Sequence, residues 1–324
     1  MSSPKLRLLL TRRLPASVEA DAQARFDTAF NPEDKVLTPD EIVSRATAHG
    51  AEALLVCLTD RLSAETIARL PASLRIIATY SVGTNHIDLD AARARGIAVG
   101  YTPDATTEAT ADVALLLLLA ACRRAHEHQL TLRQGNWGAW NAWNGLGTDP
   151  AGKVLGLVGM GRIGRAVARR ARAFGMDIAY HQRNRLSPDL EQGATFHPTL
   201  EGLLRASAVV SLHTPSTPAT IGQINRTSLS WLPDGAILVN TARGDQVVDD
   251  DLIAALKSGR LAAAGLDVFA GEPDFDRRYL DLPNAYLLPH IGTSTAETRD
   301  QMGRDALDGI ADLLAGREMR WRAA

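Results

Sequence analysis

The chain has 324 residues, of which 45% are hydrophobic and 22% are charged, and its formal net charge is −2. This composition is typical of a globular protein, and the length predicts two domains of ordinary size. A nearly neutral chain without a long run of one charge is not expected to bind nucleic acid or an anionic membrane.

Targeting and redox signals favour the cytoplasm. The longest apolar run, Val113–Cys122, is too short to span a bilayer, and the first residues lack the length and cleavage site of a signal peptide. Cys57 and Cys122 both lie in apolar runs. We therefore expect two buried thiols in a reducing compartment and no disulfide.

Short apolar runs alternate with helical patterns through the first third of the chain. This alternation predicts a parallel sheet that is covered by helices on both faces. The predicted strands are Leu6–Leu10, Ala53–Cys57, Leu74–Thr79 and Ile97–Val99. The predicted helices are Ala16–Phe26, Pro39 to about Gly50, Ser63–Leu70 and Asp88–Arg95.

The next segment contains a hinge, a buried helix and an aromatic loop. Tyr101–Asp104 is the predicted hinge, and a long helix from about Thr107 to Arg124 is apolar nearly all round, which is typical of a buried helix. A loop then carries Trp137, Trp140 and Trp143 among polar residues and glycines. Aromatic residues in such a loop indicate contact with a partner subunit or a substrate.

A glycine-rich turn follows the strand Val154–Val158. The pattern Gly159-x-Gly161-x-x-Gly164 stands between this strand and a helix, and a second strand, Ile178–Tyr180, comes after the helix. In a dinucleotide-binding unit the first glycine permits the turn, the second lets the backbone approach a pyrophosphate, and the third lets helix and strand pack closely. The phosphates lie at the positive N-terminus of the helix. The alternative is an ordinary strand–helix–strand unit with a glycine-rich turn.

The end of the second strand favours NADP over NAD. An NAD site has an acidic residue there for the ribose 2′-hydroxyl, but no acidic residue occurs between Tyr180 and Arg185. Arg183 and Arg185 could instead bind a 2′-phosphate, because the guanidinium group matches phosphate geometry. The alternative is that both arginines belong to a solvated loop.

Three residues in the last third have the chemistry of a dehydrogenase. Arg243, Glu272 and His290 each follow a predicted strand, on the side where open α/β sheets bind ligands. Reduction of a 2-oxo acid requires a cation for the carboxylate, a proton donor for the oxygen, and a carboxylate that keeps the donor charged. Arg243, His290 and Glu272 match these roles, and a neighbouring carboxylate would raise the pKa of His290. The predicted strands of this part are Ala208–Leu212, Ala236–Asn240, Ala262–Val268 and Ala285–Leu288, and its helices include Leu200–Leu204, Asp250–Lys257 and Ala296–Leu314.

These motifs resemble the D-2-hydroxyacid dehydrogenase family, and within it the NADP-preferring glyoxylate/hydroxypyruvate reductases. The resemblance covers nearly the whole chain. Besides the glycine turn and the three strand-end motifs, it rests on C-L-T-D at 57–60, S-V-G-T-N-H-I-D at 81–88, Y-T-P-D at 101–104 and T-A-D-V-A at 110–114.

The resemblance implies two doubly wound parallel-sheet domains. One is a flavodoxin-like, discontinuous substrate domain (residues 1–102 and 296–324), and the other is a Rossmann dinucleotide-binding domain (residues 103–295). It also implies a homodimer in which the loop Trp137–Trp143 reaches the partner subunit. Two sequence departures are Gln182, where relatives have Gly or Ser before the arginine, and the altered tryptophan loop.

The resemblance further assigns site residues. Arg243, Glu272 and His290 are the implied catalytic residues, and Val82 and Gly83 bind the substrate carboxylate through their amides, with Arg243 and His290 completing the substrate site. Asp267 would hold the nicotinamide carboxamide and Arg183 the 2′-phosphate. No metal is expected. The implied cofactor-binding residues are Thr110, Gly159, Met160, Gly161, Arg162, Ile163, Gly164, Arg183, Thr214, Thr241, Asp267 and Gly292.

The sequence therefore predicts NADPH-dependent reduction of small 2-oxo acids, glyoxylate or hydroxypyruvate, with NAD as a weaker cofactor. One alternative is a reductase of bulkier 2-oxo acids such as arylpyruvates. Another is a non-catalytic scaffold that senses nucleotides.

Overall fold

The computed structural model describes residues 5–324. The chain divides into two compact units: the residues up to Thr106 together with Thr293–Ala324, and Thr107–Gly292. In chain order the described strands are β1 (Arg7–Leu10), β2 (Asp27–Ala29), β3 (Ala53–Val56), β4 (Ile76–Thr79), β5 (Ala98–Gly100), β6 (Val154–Val158), β7 (Asp177–His181), β8 (Thr195–Phe196), β9 (Val209–Leu212), β10 (Ala236–Asn240), β11 (Leu261–Leu266) and β12 (Ala285–Leu287). The described helices are α1 (Ala16–Arg25), α2 (Pro39–His49), α3 (Ala64–Arg69), α4 (Leu89–Ala94), α5 (Ala105–Cys122), α6 (Ala125–Arg133), α7 (Arg162–Ala173), α8 (Pro188–Glu191), α9 (Leu200–Ala206), α10 (Arg226–Trp231), α11 (Asp249–Lys257) and α12 (Ala296–Leu314).

The first unit is built on a parallel sheet, which within the described residues has the order β2-β1-β3-β4-β5. This order is that of flavodoxin-like folds and confirms the predicted fold class. Alternate residues of β1 serve the two faces: Leu8 and Leu10 pack with α1 and α12, whereas Leu9 packs with α2, α3 and α4. Because helices cover both faces, β3 and β4 are buried at every position, as their unbroken apolar runs indicate.

The second unit contains a parallel sheet with the order β12-β11-β10-β9-β6-β7-β8 among the described residues. Counted from β6, this is the strand order of the Rossmann fold with one strand added at an edge. The direction of winding reverses between β6 and β9, which are hydrogen-bonded neighbours. In such sheets a dinucleotide binds outside the carboxyl ends of the strands at this reversal.

Helix α5 packs against the sheet of the second unit. It contributes Ala114, Leu117 and Leu118 to a core cluster, and a Cβ added to Gly265 of β11 would lie 2.9 Å from the carbonyl oxygen of Leu117. Glycine therefore allows the helix backbone to approach the strand directly. Among the described residues α5 is also the one helix with the length and apolar composition of a membrane span, a property that core helices share.

Several short elements were not predicted. Strand β2 pairs with β1 through Thr28 opposite Leu8, but its three residues carry no apolar run. Helices α8 and α10 and strand β8 are similarly short. Elements of this length contain too few residues to show a hydrophobic period, so only their pairing and capping in the folded chain define them.

Candidate active site

Three glycines shape the turn between β6 and α7. Gly159 has a φ of +97°, and a Cβ on Gly164 would lie 2.3 Å from the carbonyl oxygen of Gly159. By contrast, a Cβ on Gly161 would meet no atom within 4 Å, and no side chain caps the first turn of α7. The first N–H groups of a helix have no partner within the helix, so this end offers room and donors for a phosphate.

A buried hydroxyl group on the next loop also fits a dinucleotide. Thr241 directly follows β10 and is 8% exposed, and its Oγ1 atom has no hydrogen-bond partner within residues 5–324. Buried polar atoms are nearly always satisfied, and a cofactor hydroxyl or phosphate could supply the missing partner. On the neighbouring loop Thr214 donates through Oγ1 to Gln246 at 3.0 Å. The residues present therefore fit an NAD(P) group in this part of the second unit.

The two arginines after β7, both expected to be available for a 2′-phosphate, differ in their contacts. Arg185 donates to both carboxylate oxygens of Glu191, at 2.8 and 3.1 Å, so its guanidinium is already engaged by an acidic residue. These bonds, followed by one from Tyr180, lower the pKa of Glu191. Arg183 is exposed and makes no ion pair with the described part of the chain. Of the two arginines, Arg183 is therefore the candidate that could bind a 2′-phosphate.

Gln182 links the same strand end to the glycine turn. Its Oε1 atom accepts the N–H of Met160 at 3.0 Å, and its Nε2 atom donates to the carbonyl oxygen of Asn184 at 2.7 Å. Met160 itself is 1% exposed and packs in the core, so both its side chain and its N–H are occupied within the protein. This strand end therefore carries a neutral amide, and no acidic residue occurs between Tyr180 and Arg185.

The side chains of Glu272 and His290 form a pair. The Nδ1 atom of His290 lies 2.5 Å from Oε1 of Glu272, and the other carboxylate oxygen accepts the N–H of Phe269 at 3.1 Å. Burial by itself would raise the pKa of Glu272. The hydrogen bond and charge of His290, the Phe269 amide and the charge of Arg243 outweigh burial and lower this pKa. Glu272 is therefore an ionised partner that fixes one nitrogen of the imidazole and leaves Nε2 for other contacts.

Arg243 shares the electrostatic environment of this pair. It lies half-buried on the loop after β10, and its Nη1 atom donates to the carbonyl oxygen of Ala242 at 2.7 Å. Burial lowers the pKa of Arg243, whereas the charges of Glu272 and Asp245 oppose that change. A guanidinium stays charged even so, and partial removal of water strengthens its attraction for an anion.

The carboxylate of Asp267 fixes the loop that carries His290. Its two oxygens accept the N–H groups of Ile291 at 2.7 Å and Gly292 at 2.9 Å, and the residue is 1% exposed. Burial raises the pKa of Asp267, although both amides favour its charged form. A Cβ on Gly292 would also lie 3.6 Å from Oγ1 of Thr110, so the structure brings three cofactor candidates of the second unit together.

Known dehydrogenases are similar to this chain over nearly its whole length. The family model described as "D-isomer specific 2-hydroxyacid dehydrogenase, NAD binding domain" matches residues 115–292. The chain is 44% identical over 322 residues to a glycerate dehydrogenase of Hyphomicrobium methylovorum, which covers 99% of both chains.

The chain belongs to the D-isomer specific 2-hydroxyacid dehydrogenase family.

Solved structures agree with this membership. A putative D-isomer specific 2-hydroxyacid dehydrogenase from Polaromonas is 47% identical, with a TM-score of 0.92 over 99% of this chain and 100% of that one. An NADPH-dependent glyoxylate/hydroxypyruvate reductase from Sinorhizobium meliloti, solved with NADP and malonate, is 33% identical, with a TM-score of 0.87 over 99% and 97% of the two chains. The protein is thus an NAD(P)-dependent enzyme that acts on small 2-hydroxy or 2-oxo acids.

The loop expected to bind the substrate carboxylate lies in the first unit of this dehydrogenase. Val82 and Gly83 follow β4, and the Oγ atom of Ser81 donates to the carbonyl oxygen of Gly83 at 2.6 Å. Thr79 bonds both Ser81, at 2.7 Å, and His86, at 2.9 Å. The buried side chains of Thr79, Ser81 and His86 are therefore joined by hydrogen bonds, and Ser81 holds the loop at Gly83.

Three positions that shape the dehydrogenase site were not predicted. Asn240 accepts the N–H of Ala242 and donates to the carbonyl oxygen of Arg243, both at 2.9 Å. A Cβ on Gly244 would lie 1.9 Å from the carbonyl carbon of Phe269, so glycine allows the Arg243 and Glu272 loops to touch. His213 bonds Ser211 at 2.8 Å, and burial lowers its pKa to about 3. The available signal for Asn240 and Gly244 was the pattern Asn-Thr-Ala-Arg-Gly at the end of a strand, and this pattern does not include His213.

The three tryptophans proposed to contact a partner or a substrate lie on the surface. The side chains of Trp137, Trp140 and Trp143 are 78%, 87% and 77% exposed. Within residues 5–324, no group of three His, Cys, Asp or Glu side chains is arranged to hold a metal ion.

Gly161 and Gly164 should respond in opposite ways to substitution by alanine. Gly161→Ala should change thermal stability little, by at most about 1 kcal/mol, because the added methyl meets open space. It should nevertheless weaken NADPH binding, because the methyl occupies the approach of the pyrophosphate. Gly164→Ala should destabilise the fold by about 1–3 kcal/mol, because the methyl strikes the backbone of Gly159. Thermal unfolding and a fluorescence titration with NADPH measure the two effects. Unchanged NADPH affinity in Gly161→Ala would contradict the placement of the phosphates.

Proposed function

We propose that the protein is an NADPH-dependent reductase of small 2-oxo acids, with glyoxylate and hydroxypyruvate as substrates. The observation that carries the proposal is the pairing of His290 with Glu272 at 2.5 Å, beside the charge of Arg243. This set combines a proton donor, its counter-ion and a cation for a carboxylate at the carboxyl ends of neighbouring strands. Glycerate is the 2-hydroxy acid that hydroxypyruvate reduction yields, and a glycerate dehydrogenase is among the similar proteins.

Each side chain has a separate role in the proposed reaction. A bound nicotinamide would supply the hydride for C2 of the substrate. Arg243 binds the substrate carboxylate and orients the ketone. In the first unit, the backbone amides of Val82 and Gly83 are the groups that we expect to bind a carboxylate. His290 delivers its proton from Nε2 to the ketone oxygen, because Nδ1 is committed to Glu272. The negative charge of Glu272 stabilises the protonated imidazole before transfer.

The proposed preference for NADPH rests on two neighbouring side chains. Arg183 is an exposed cation without an acidic partner in the described chain, and Gln182 is neutral where a carboxylate would repel a 2′-phosphate. The related reductase from Sinorhizobium meliloti is described as NADPH-dependent. NADH would remain the weaker cofactor, because the pyrophosphate cradle serves both.

The catalytic assignment predicts large losses of turnover in two variants. His290→Ala and Arg243→Ala should each lower kcat/KM for glyoxylate by about 100- to 10,000-fold, because proton transfer or carboxylate binding is removed. Thermal unfolding should show that both variants remain folded, and His126→Ala is the matched control. The assay should include hydroxypyruvate and phenylpyruvate, which separates small from bulky substrates. Near-wild-type turnover in either variant would contradict the assignment.

The cofactor assignment predicts a selective change. Arg183→Ala should raise the KM for NADPH about ten- to a hundredfold, because a charge-assisted bond to phosphate is lost, and should leave the KM for NADH nearly unchanged. Gln182→Glu should shift the preference in the same direction by adding a negative charge. Arg205→Ala, which removes an exposed charge elsewhere in the second unit, controls for net charge. Equal losses for both cofactors in Arg183→Ala would disprove the phosphate contact.

We also propose a homodimer whose interface includes the loop Trp137–Trp143. Three exposed tryptophans within seven positions are an unusual surface for a monomer, and aromatic residues are enriched in interfaces. Light scattering after gel filtration should give twice the chain mass of 34.8 kDa. Replacement of all three tryptophans by serine should lower this mass, whereas Phe174→Ser, at an exposed aromatic outside the loop, should not. A monomeric wild-type protein would overturn the idea.

A further inference from the structure

A cavity of about 330 Å³ lies in the first unit, where β1, β3 and β4 end. Arg12 and Arg13 follow β1, Cys57 and Leu58 follow β3, and Tyr80 follows β4; Asp34 and Arg299 also line the cavity. The carboxyl edge of an open parallel sheet is where such folds bind ligands. The cavity is therefore in the position of a ligand site.

The charges of this wall are unequally compensated. Arg12 donates to Asp34 at 2.9 Å, and Arg13 donates to Glu19 at 2.7 Å. Arg299 donates only to the hydroxyl of Ser294, at 3.3 Å, and makes no ion pair with any carboxylate among residues 5–324. Its guanidinium also lies 5.9 Å from the centre of the Tyr80 ring, which fixes it over the cavity wall.

The Cys57 thiol, which also lines the cavity, does not cancel the charge of Arg299. Burial, followed by the nearby charge of Asp60, raises the pKa of the Cys57 thiol to about 12, so the thiol is neutral. Leu58 is 39% exposed and offers an apolar surface beside the arginines. An anionic group on a short aliphatic chain is the chemistry that matches a cation next to such a surface.

The cavity is close to the loop proposed to bind the substrate carboxylate. Tyr80 lines the cavity and Val82 is two positions further along the chain. Two residues span at most about 7 Å, so the Val82 amide lies within the length of a small dicarboxylate from the Tyr80 wall. This separation is short enough for the second carboxylate of a molecule bound at Val82 and Gly83 to reach the cavity wall.

We propose that this cavity binds the distal carboxylate of a linear 2-oxo dicarboxylic acid, with Arg299 as the residue that determines this specificity. The inference rests on the proposed function, because it extends the substrate site of the reductase. It widens the substrate class beyond glyoxylate and hydroxypyruvate to acids that carry a second negative charge.

The test compares two acids of equal length, 2-oxoglutarate and 2-oxopentanoate, which differ in a terminal carboxylate and a methyl group. The wild-type enzyme should show a kcat/KM at least about tenfold higher for 2-oxoglutarate, because a charged hydrogen bond is gained. Arg299→Gln should remove this preference and leave 2-oxopentanoate within about twofold. Arg299→Lys should retain part of it. The preference should also shrink as ionic strength rises.

The control is Arg304→Gln, which removes an exposed arginine of α12 that pairs with Asp300 and should change neither substrate. Equal kcat/KM for the two acids in the wild-type enzyme would overturn the inference and leave the reductase assignment intact. An equal loss for both acids in Arg299→Gln would also overturn it, since that result indicates a structural role.

A calorimetric titration separates failure of the inference from failure of the proposed function. Glutarate should bind the wild-type protein and should bind Arg299→Gln at least about tenfold more weakly, whether or not any 2-oxo acid is reduced. If no 2-oxo acid is reduced, the reductase proposal fails and the glutarate result decides the cavity alone. Equal glutarate affinity in both proteins would refute the role of Arg299.

Discussion

The buried carboxylate of Asp267 is the constraint on which the geometry of the second unit depends. It accepts the N–H groups of Ile291 and Gly292, and its own N–H donates to the carbonyl oxygen of Asn240. Asp267 thereby joins the end of β10 to the loops that follow β11 and β12. A carboxylate in a site that is 1% exposed is costly unless its oxygens are satisfied, and two backbone donors supply that compensation. Each oxygen can accept a further bond, so a nicotinamide amide remains a compatible partner.

The hydrogen bonds of Asp267 help to position the proposed catalytic residues. His290 has a φ of +54°, which residues with a side chain seldom adopt, and the two amides that follow it are the ones that Asp267 holds. Glu272 meets His290 from the next loop, while Gly244 lets the Arg243 loop touch Phe269. Functional side chains on loops can be oriented in this way because a rigid sheet edge carries them.

Paired and unpaired charges occur together in both units. In the second unit Glu272 pairs with His290 and Arg185 pairs with Glu191, whereas Arg183 makes no ion pair with the described residues. In the first unit, the cavity wall keeps one guanidinium, that of Arg299, without a carboxylate among the described residues. An uncompensated cation beside an apolar surface is costly for folding and useful for binding an anion. The unpaired guanidinium of Arg299 is the reason for considering a second acidic group in the substrate.

The strand-end positions of Arg243, Glu272 and His290 could be predicted without coordinates, because parallel strands present their carboxyl ends to one edge. The distance between His290 and Glu272 could not be predicted, because it depends on the strand order. The contact between Gly244 and the backbone of Phe269 likewise joins residues that are far apart in the chain. Likewise, the pattern at the end of β7 indicated two arginines, but it did not reveal that Glu191 engages Arg185.

The sequence by itself determined the parallel α/β class, the glycine turn and the family, because hydrophobic periods and glycine spacing reflect burial and backbone conformation locally. Only the tertiary structure decided which polar side chains are satisfied, which remain available, and where a cavity forms. Those properties arise from packing between distant segments. Gln182 bonds Met160 across the turn, Asp267 joins the end of β10 to two loops, and Arg299 contacts Tyr80 from a helix more than two hundred positions away.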